Sequence, residues 1–79
     1  MKPIVPMSPR QKKVEIIDRC MRRAEKEIRY SAKRAVESYA EVWMVEPSVD
    51  LFVVACARNG ISTGEMEILK KILKEERMM

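Results

Sequence analysis

The sequence predicts an all-α protein in which a long N-terminal helix carries a two-helix, helix-turn-helix-like hairpin packed on its C-terminal half. Three observations support this fold class. Apolar residues recur three and four positions apart over residues 9–45, and residues 10–45 contain neither Gly nor Pro. Two shorter segments downstream have clear helix start and stop signals. A length of 79 residues corresponds to one domain.

Residues 1–8 are predicted to form an extended N-terminal arm, and residues 9–79 a single helical domain. Prolines at every third position up to Pro9 favour a polyproline-type path over a helix. The first helix then has a start signal, with Ser8 as N-cap, Pro9 at the first helical position and Gln11 completing a capping box.

The apolar residues of the first helix form a continuous seam along one side of it. Because the two later helices together are shorter than the first, they can cover only its C-terminal half. The N-terminal half of the seam therefore predicts an interface with a second copy or another protein. The interface residues predicted in this way are Val14, Ile17, Met21, Ala24 and Ile28.

Start and stop signals in the sequence predict the bounds of the two later helices. Pro47 ends the first helix, and the second helix is predicted over residues 48–58. That helix is apolar on every side and is therefore expected to be buried. Gly60 supplies a left-handed C-cap, and the capping box over residues 62–65 starts the third helix.

The composition excludes several kinds of site. Two Cys and no His cannot form a four-ligand zinc site within one chain, so no metal is expected. Residues 60–64 open a helix between two glycines but lack the Lys of a phosphate loop, so no cofactor is expected. Arginines beside Cys20 would lower its pKa if it were exposed, but a small residue beside the seam is the favoured interpretation. On a straight first helix, Cys20 lies too far from Cys56 for a disulfide. No catalytic constellation is present, and the protein is not expected to be an enzyme.

Residues 51–73 resemble a helix-turn-helix. A small residue at Cys56, a Gly at position 60 and an apolar residue at Leu69 fit the spacing of that motif. The resemblance implies a DNA-recognition helix over residues 62–74. Glu65 and Glu67 oppose this function, since they place negative charge where DNA phosphates would lie.

Basic residues recur at helical spacing along the first helix and could follow nucleic acid phosphates or an acidic protein partner. An ordinary solvated face with pairs four residues apart, such as Asp18–Arg22, is the favoured interpretation. This basic stripe consists of Lys12, Arg19, Arg22, Lys26, Arg29 and Lys33.

Two classes of function remain. The first is a small non-enzymatic regulatory or adaptor protein, homodimeric and binding another protein through the apolar seam. The alternative is a small helix-turn-helix-like transcriptional regulator that binds DNA. The net charge of +4 permits nucleic acid without requiring it. No segment approaches the roughly 20 apolar residues of a membrane span, and the unpaired cysteines indicate the cytoplasm.

Overall fold

The structure, a computed structural model, describes residues 9–45 and 49–79. The predicted arm and the N-cap at Ser8 lie outside the described residues, as does Pro47. The described part of the chain contains four helices and no strand, which confirms the all-α class. The helices are α1 (Pro9–Glu27), α2 (Tyr30–Trp43), α3 (Val49–Arg58) and α4 (Thr63–Glu75).

The prediction of one long helix over residues 9–45 is wrong, because the chain bends at Ile28 and Arg29. Arg29 has an extended backbone (φ −178°, ψ 175°) and precedes α2 without a side-chain cap. The N–H groups of Ile28 and Arg29 both donate to the Ala24 carbonyl, at 3.0 and 3.2 Å. The bend therefore closes α1 with backbone hydrogen bonds and needs neither Gly nor Pro.

Beyond the bend, α2 folds back along α1. Lys13, near the start of α1, reaches the end of α2: its Nζ lies 3.5 Å from the Trp43 carbonyl oxygen and 4.8 Å from the centre of the Trp43 ring. The two helices are thus antiparallel neighbours. The apolar seam, expected along one straight helix, instead closes on itself across this hairpin.

The later helices also alternate in direction. α3 packs on α2, and α4 packs on α1. Arg29, at the bend, contacts Gly60 and Glu65 in and just after the α3–α4 turn. At the other end of α4, Glu76 contacts Arg19 of α1. The result is an up-down-up-down four-helix arrangement. The hairpin therefore does not lie on one half of a long helix, as predicted; each of its helices covers a different partner.

The core lies between the four helices and extends to the residues after α4. Its largest fully buried side chains include Tyr39 from α2, Phe52 from α3 and Leu73 from α4. The Tyr39 and Phe52 rings are 5.5 Å apart between centroids. Met78 is also fully buried, and its carbonyl accepts a hydrogen bond of 3.2 Å from the Tyr39 hydroxyl.

Both predicted signals around the α3–α4 turn are confirmed. Gly60 is left-handed (φ 67°), and the N–H groups of Gly60 and Ile61 donate to the Ala57 and Cys56 carbonyls, which is the Schellman pattern. Ser62 caps α4 through a complete capping box with Glu65. The turn therefore holds α3 and α4 in a fixed relation.

Candidate functional site

The predicted interface seam on α1 is largely used inside the protein. Ala24 is fully buried in the core, and Ile17, Met21 and Ile28 are partly buried against it. Val14, close to the start of α1, is 51% exposed. Four of the five seam residues thus already contact the protein's own core, because α2 and α4 cover the side of α1 that carries them.

The basic stripe is drawn into ion pairs that hold the helices together. Arg19 Nε lies 3.1 Å from Glu76 Oε2. Arg29 Nε lies 3.1 Å from Glu65 Oε2, and Arg29 also donates to the Gly60 carbonyl at 2.6 Å. These arginines connect α1 and the bend to the two ends of α4, which reduces the positive charge that they offer to phosphates.

Two further stripe residues are paired near the α1–α2 hairpin. Lys33 Nζ lies 3.6 Å from Glu25 Oε2, and the predicted pair between Arg22 and Asp18 is present at 2.7 Å. The stripe residues Lys12 and Lys26 are exposed. The bend also breaks the line of the stripe, since Lys33 belongs to a helix that runs back along α1.

The helix-turn-helix segment has its expected turn but an acidic start to its second helix. Glu65 accepts from the Ser62 backbone N–H at 3.0 Å and pairs with Arg29. The hydrogen bonds from Ser62 and the nearby Arg29 guanidinium keep the pKa of Glu65 below its ordinary value. Glu65 is therefore charged at neutral pH, in the first turn of the helix that would have to approach DNA phosphates.

Cys20 is a buried thiol, which agrees with the favoured interpretation of it as a small residue beside the seam. Burial raises the pKa of Cys20 to about 12; the nearby Glu76 carboxylate also raises it, whereas Arg23 and Arg19 lower it. Burial likewise raises the pKa of Cys56 to about 11. Both cysteines are free. Neither has the accessible thiolate that nucleophilic chemistry requires.

The largest departure from the sequence prediction is on α3, which was expected to be buried on every side. Leu51, Val53 and Val54 are each 41–42% exposed, and Ala57 is exposed beside them. Charged residues stand at the two ends of this surface. We call it the α3 face, and it consists of Asp50, Leu51, Val53, Val54, Ala57 and Arg58.

The inner side of α3 explains why its outer side is free. Phe52, Ala55 and Cys56 point into the core, at the three- and four-residue spacing of one helix face. A ten-residue helix that packs mainly on one neighbour can bury only that face. The sequence reveals no polar residue between Leu51 and Ala57, so it shows that α3 is apolar but not which side is covered.

A second surface feature is a shallow groove between α1 and α4 with a volume of about 350 Å³. Its walls mix the aliphatic Ile68 and Ile72 with the charged Arg23, Glu27 and Lys71. Arg23 already pairs with Glu75, at 3.0 Å. Arg23 also pairs with Glu27, at 3.8 Å. Lys71 is exposed and forms no ion pair with a described residue, so the groove offers one free cation and little else to orient a small molecule.

Within residues 9–45 and 49–79, no group of acidic, Cys or His residues could hold a metal ion. None of the described helices is long and apolar enough to cross a membrane. In comparisons with known proteins, no family model, no curated protein and no solved structure matches the chain significantly.

Proposed function

We propose that this protein is a small non-enzymatic helical module that acts by binding another protein chain through exposed apolar surface. The observation that carries the proposal is the α3 face, where Leu51, Val53 and Val54 each leave about two fifths of their surface in water. Apolar side chains grouped in this way gain free energy when a partner covers them, at about 25 cal/mol for each Å² of apolar surface removed from water.

We place the contact surface on α3 and not on α1, because the apolar residues of α1 are largely buried within the protein. Ala24 and Cys20 on α1 are fully buried within the protein. On α3, by contrast, the exposed apolar side chains are adjacent and lie on a helix whose opposite side is anchored by Phe52. A rigid, anchored helix is a suitable support for a binding face, since little conformational freedom is lost on binding.

DNA binding is the competing function, and the charge distribution disfavours it. Three of the basic residues that could contact phosphates, Arg19, Arg29 and Lys33, are paired with carboxylates of the same chain. Breaking those pairs would offset the gain from releasing counterions around DNA.

A photo-crosslinking amino acid at Val54 tests the proposal. We expect a crosslinked protein product in extracts of the source cells, and no such product when the same group replaces the exposed Ser38 on α2. The captured protein, once purified, should bind the wild-type chain in calorimetry and bind the Val54→Asp variant at least about tenfold more weakly, a change of about 1.4 kcal/mol.

The same preparation separates the two functions. Fluorescence anisotropy with a generic DNA duplex at low and moderate salt should show no salt-sensitive complex. A salt-sensitive complex that Val54→Asp leaves intact, together with equal crosslinking from Val54 and Ser38, would overturn the proposal. The circular dichroism spectra of the wild type and the Val54→Asp variant should be the same, because Val54 is exposed and its replacement leaves the core unchanged.

A further inference from the structure

The α3 face has a charge pattern that is complementary to itself. Asp50 and Arg58 each lie four residues from Val54, on opposite sides of it, so all three follow one side of the helix. Both charged side chains are exposed, and neither forms an ion pair with any described residue. The face therefore has a negative end, an apolar middle and a positive end.

This pattern predicts which charges would face each other if a second copy packed on the α3 face. When two such helices lie antiparallel about a two-fold axis level with Val54, Asp50 of one copy is at the height of Arg58 of the other, about 6 Å from the axis. The long arginine side chain can then reach the carboxylate across the interface. A parallel arrangement would instead place like charges at the same height.

The apolar side chains fit the same arrangement. Val54 lies at the axis in both copies, and Leu51 is level with Ala57 of the other copy, because both are three residues from Val54. A large residue level with a small one allows two helices to approach closely. The antiparallel direction also opposes the two helix dipoles, and Asp50 and Arg58 stand at the helix ends that favour their charges.

From these relationships we infer that the α3 face binds a second copy of this chain, forming an antiparallel two-fold dimer through α3. This inference rests on the proposed function and names its partner. One short helix from each copy buries little surface, so the dimer is weak and reversible, with a dissociation constant between about 1 µM and 1 mM.

Charge reversal gives a test that only this arrangement passes. In sedimentation experiments on the full chain at low ionic strength, the wild type should shift from monomer to dimer with rising concentration. Asp50→Arg and Arg58→Asp should each weaken self-association at least tenfold, because each creates two like-charge contacts across the axis. An equimolar mixture of the two variants should restore the dimer, since every cross-interface contact then joins opposite charges.

Matched controls reverse exposed charges on other surfaces. Glu37→Arg on α2 and Lys12→Asp on α1 change the net charge by the same amounts and should leave self-association unchanged. Circular dichroism of each variant should match the wild type, because all four positions are exposed.

Three results would overturn the inference. The wild type could remain fully monomeric at about 1 mM, where even the weakest expected dissociation constant would place about half of the protomers in dimers. The single reversals could self-associate like the wild type, or the mixture could fail to restore the dimer. A dimer abolished by Ile17→Asp but unaffected by the α3 reversals would place the interface on α1 instead.

The crosslinking result separates failure of the inference from failure of the proposed function. A monomeric wild type that crosslinks a different protein from Val54, and binds it in purified form, overturns the dimer and leaves the proposed function standing. A monomeric wild type with no product specific to Val54 overturns both.

Discussion

Arg29 and Glu65 join the two turns of the protein. One terminal nitrogen of the Arg29 guanidinium donates a 3.1 Å hydrogen bond to Glu65 Oε1, and Nε lies 3.1 Å from Glu65 Oε2 in the same ion pair. The same guanidinium donates to the Gly60 carbonyl. One residue at the α1–α2 bend thereby holds both the C-cap of α3 and the capping box of α4.

Replacing Arg29 with Gln should raise the pKa of Glu65. The guanidinium is one of the groups that lower this pKa, whereas the hydrogen bond from the Ser62 backbone is the largest cause and remains in the variant. The pKa should therefore rise without reaching the ordinary value of a glutamate. An NMR titration of the Glu65 side-chain carboxyl measures it, with Arg22→Gln as the control. A Glu65 pKa that rises equally in both variants would contradict the specific pairing.

The pairing of Glu65 also has a pH dependence with a definite sign. The folded protein binds this proton more weakly than the unfolded chain does, so the carboxylate stabilises the fold above the unfolded pKa. That contribution is lost as the pH falls through the lowered pKa of the folded state. Arg29→Gln should therefore reduce the fall in stability between neutral and acidic pH.

Arg77→Gly should stabilise the protein. Arg77 is left-handed (φ 64°) and directly follows Glu76, the C-cap residue of α4; the next N–H, of Met78, donates to the Leu73 carbonyl at 2.7 Å. A side chain is strained in this conformation and glycine is not, so the free energy of unfolding should rise by about 0.5–1 kcal/mol. Urea unfolding measures it. Arg77→Ala removes the same charge but keeps Cβ, and an equal rise in that variant would point to charge instead of backbone conformation.

Met78→Ala should destabilise the protein strongly. Its side chain is fully buried, and truncating a buried Met costs about 2–5 kcal/mol. The hydrogen bond from Tyr39 to its carbonyl keeps the segment after α4 in place. In urea unfolding, Met79→Ala should cost less because Met79 is only partly buried. Equal and small effects of the two changes would show that Met78 is not packed in the core.

The free energy of unfolding should fall as the pH rises above about 9. The unfolded chain loses the Cys20 proton near the ordinary value of 9.0, whereas burial holds the proton in the fold until about 12. The buried Cys20 thiol makes its full contribution to stability below the pKa of the unfolded chain. That contribution declines as the pH rises towards the pKa of the folded state. Cys56 and Tyr39 act in the same direction. Urea unfolding between about pH 8 and pH 10 measures the decline, and Cys20→Ala should reduce its slope. An unchanged slope would indicate that Cys20 does not contribute.

Local signals in the sequence predicted local structure well. The capping box from Ser62 to Glu65 and the left-handed Gly60 are both present, because each depends on residues within one turn of chain. The end of α3 at Arg58 follows from the same signal. The interface and partner predictions for the α1 seam and the basic stripe remain predictions.

The bend at Arg29 could not be read from local signals. Ala24, Ile28 and Ala32 keep the four-residue spacing of a continuous helix straight through it. The extended backbone of Arg29 is stabilised by Gly60 and Glu65, which are more than thirty residues away in sequence. A pattern of apolar residues identifies what must be buried, but it does not identify the surface that buries it.

The sequence by itself therefore determined the helical class and the caps around the α3–α4 turn, since these depend on composition and short-range spacing. Only the tertiary structure decided that the seam folds back on itself and that one side of α3 faces water. The physical reason is that a short chain lowers its free energy by covering apolar surface wherever its own helices can reach. Closing the α1–α2 hairpin buries the seam, and α3 is left with a single covered side.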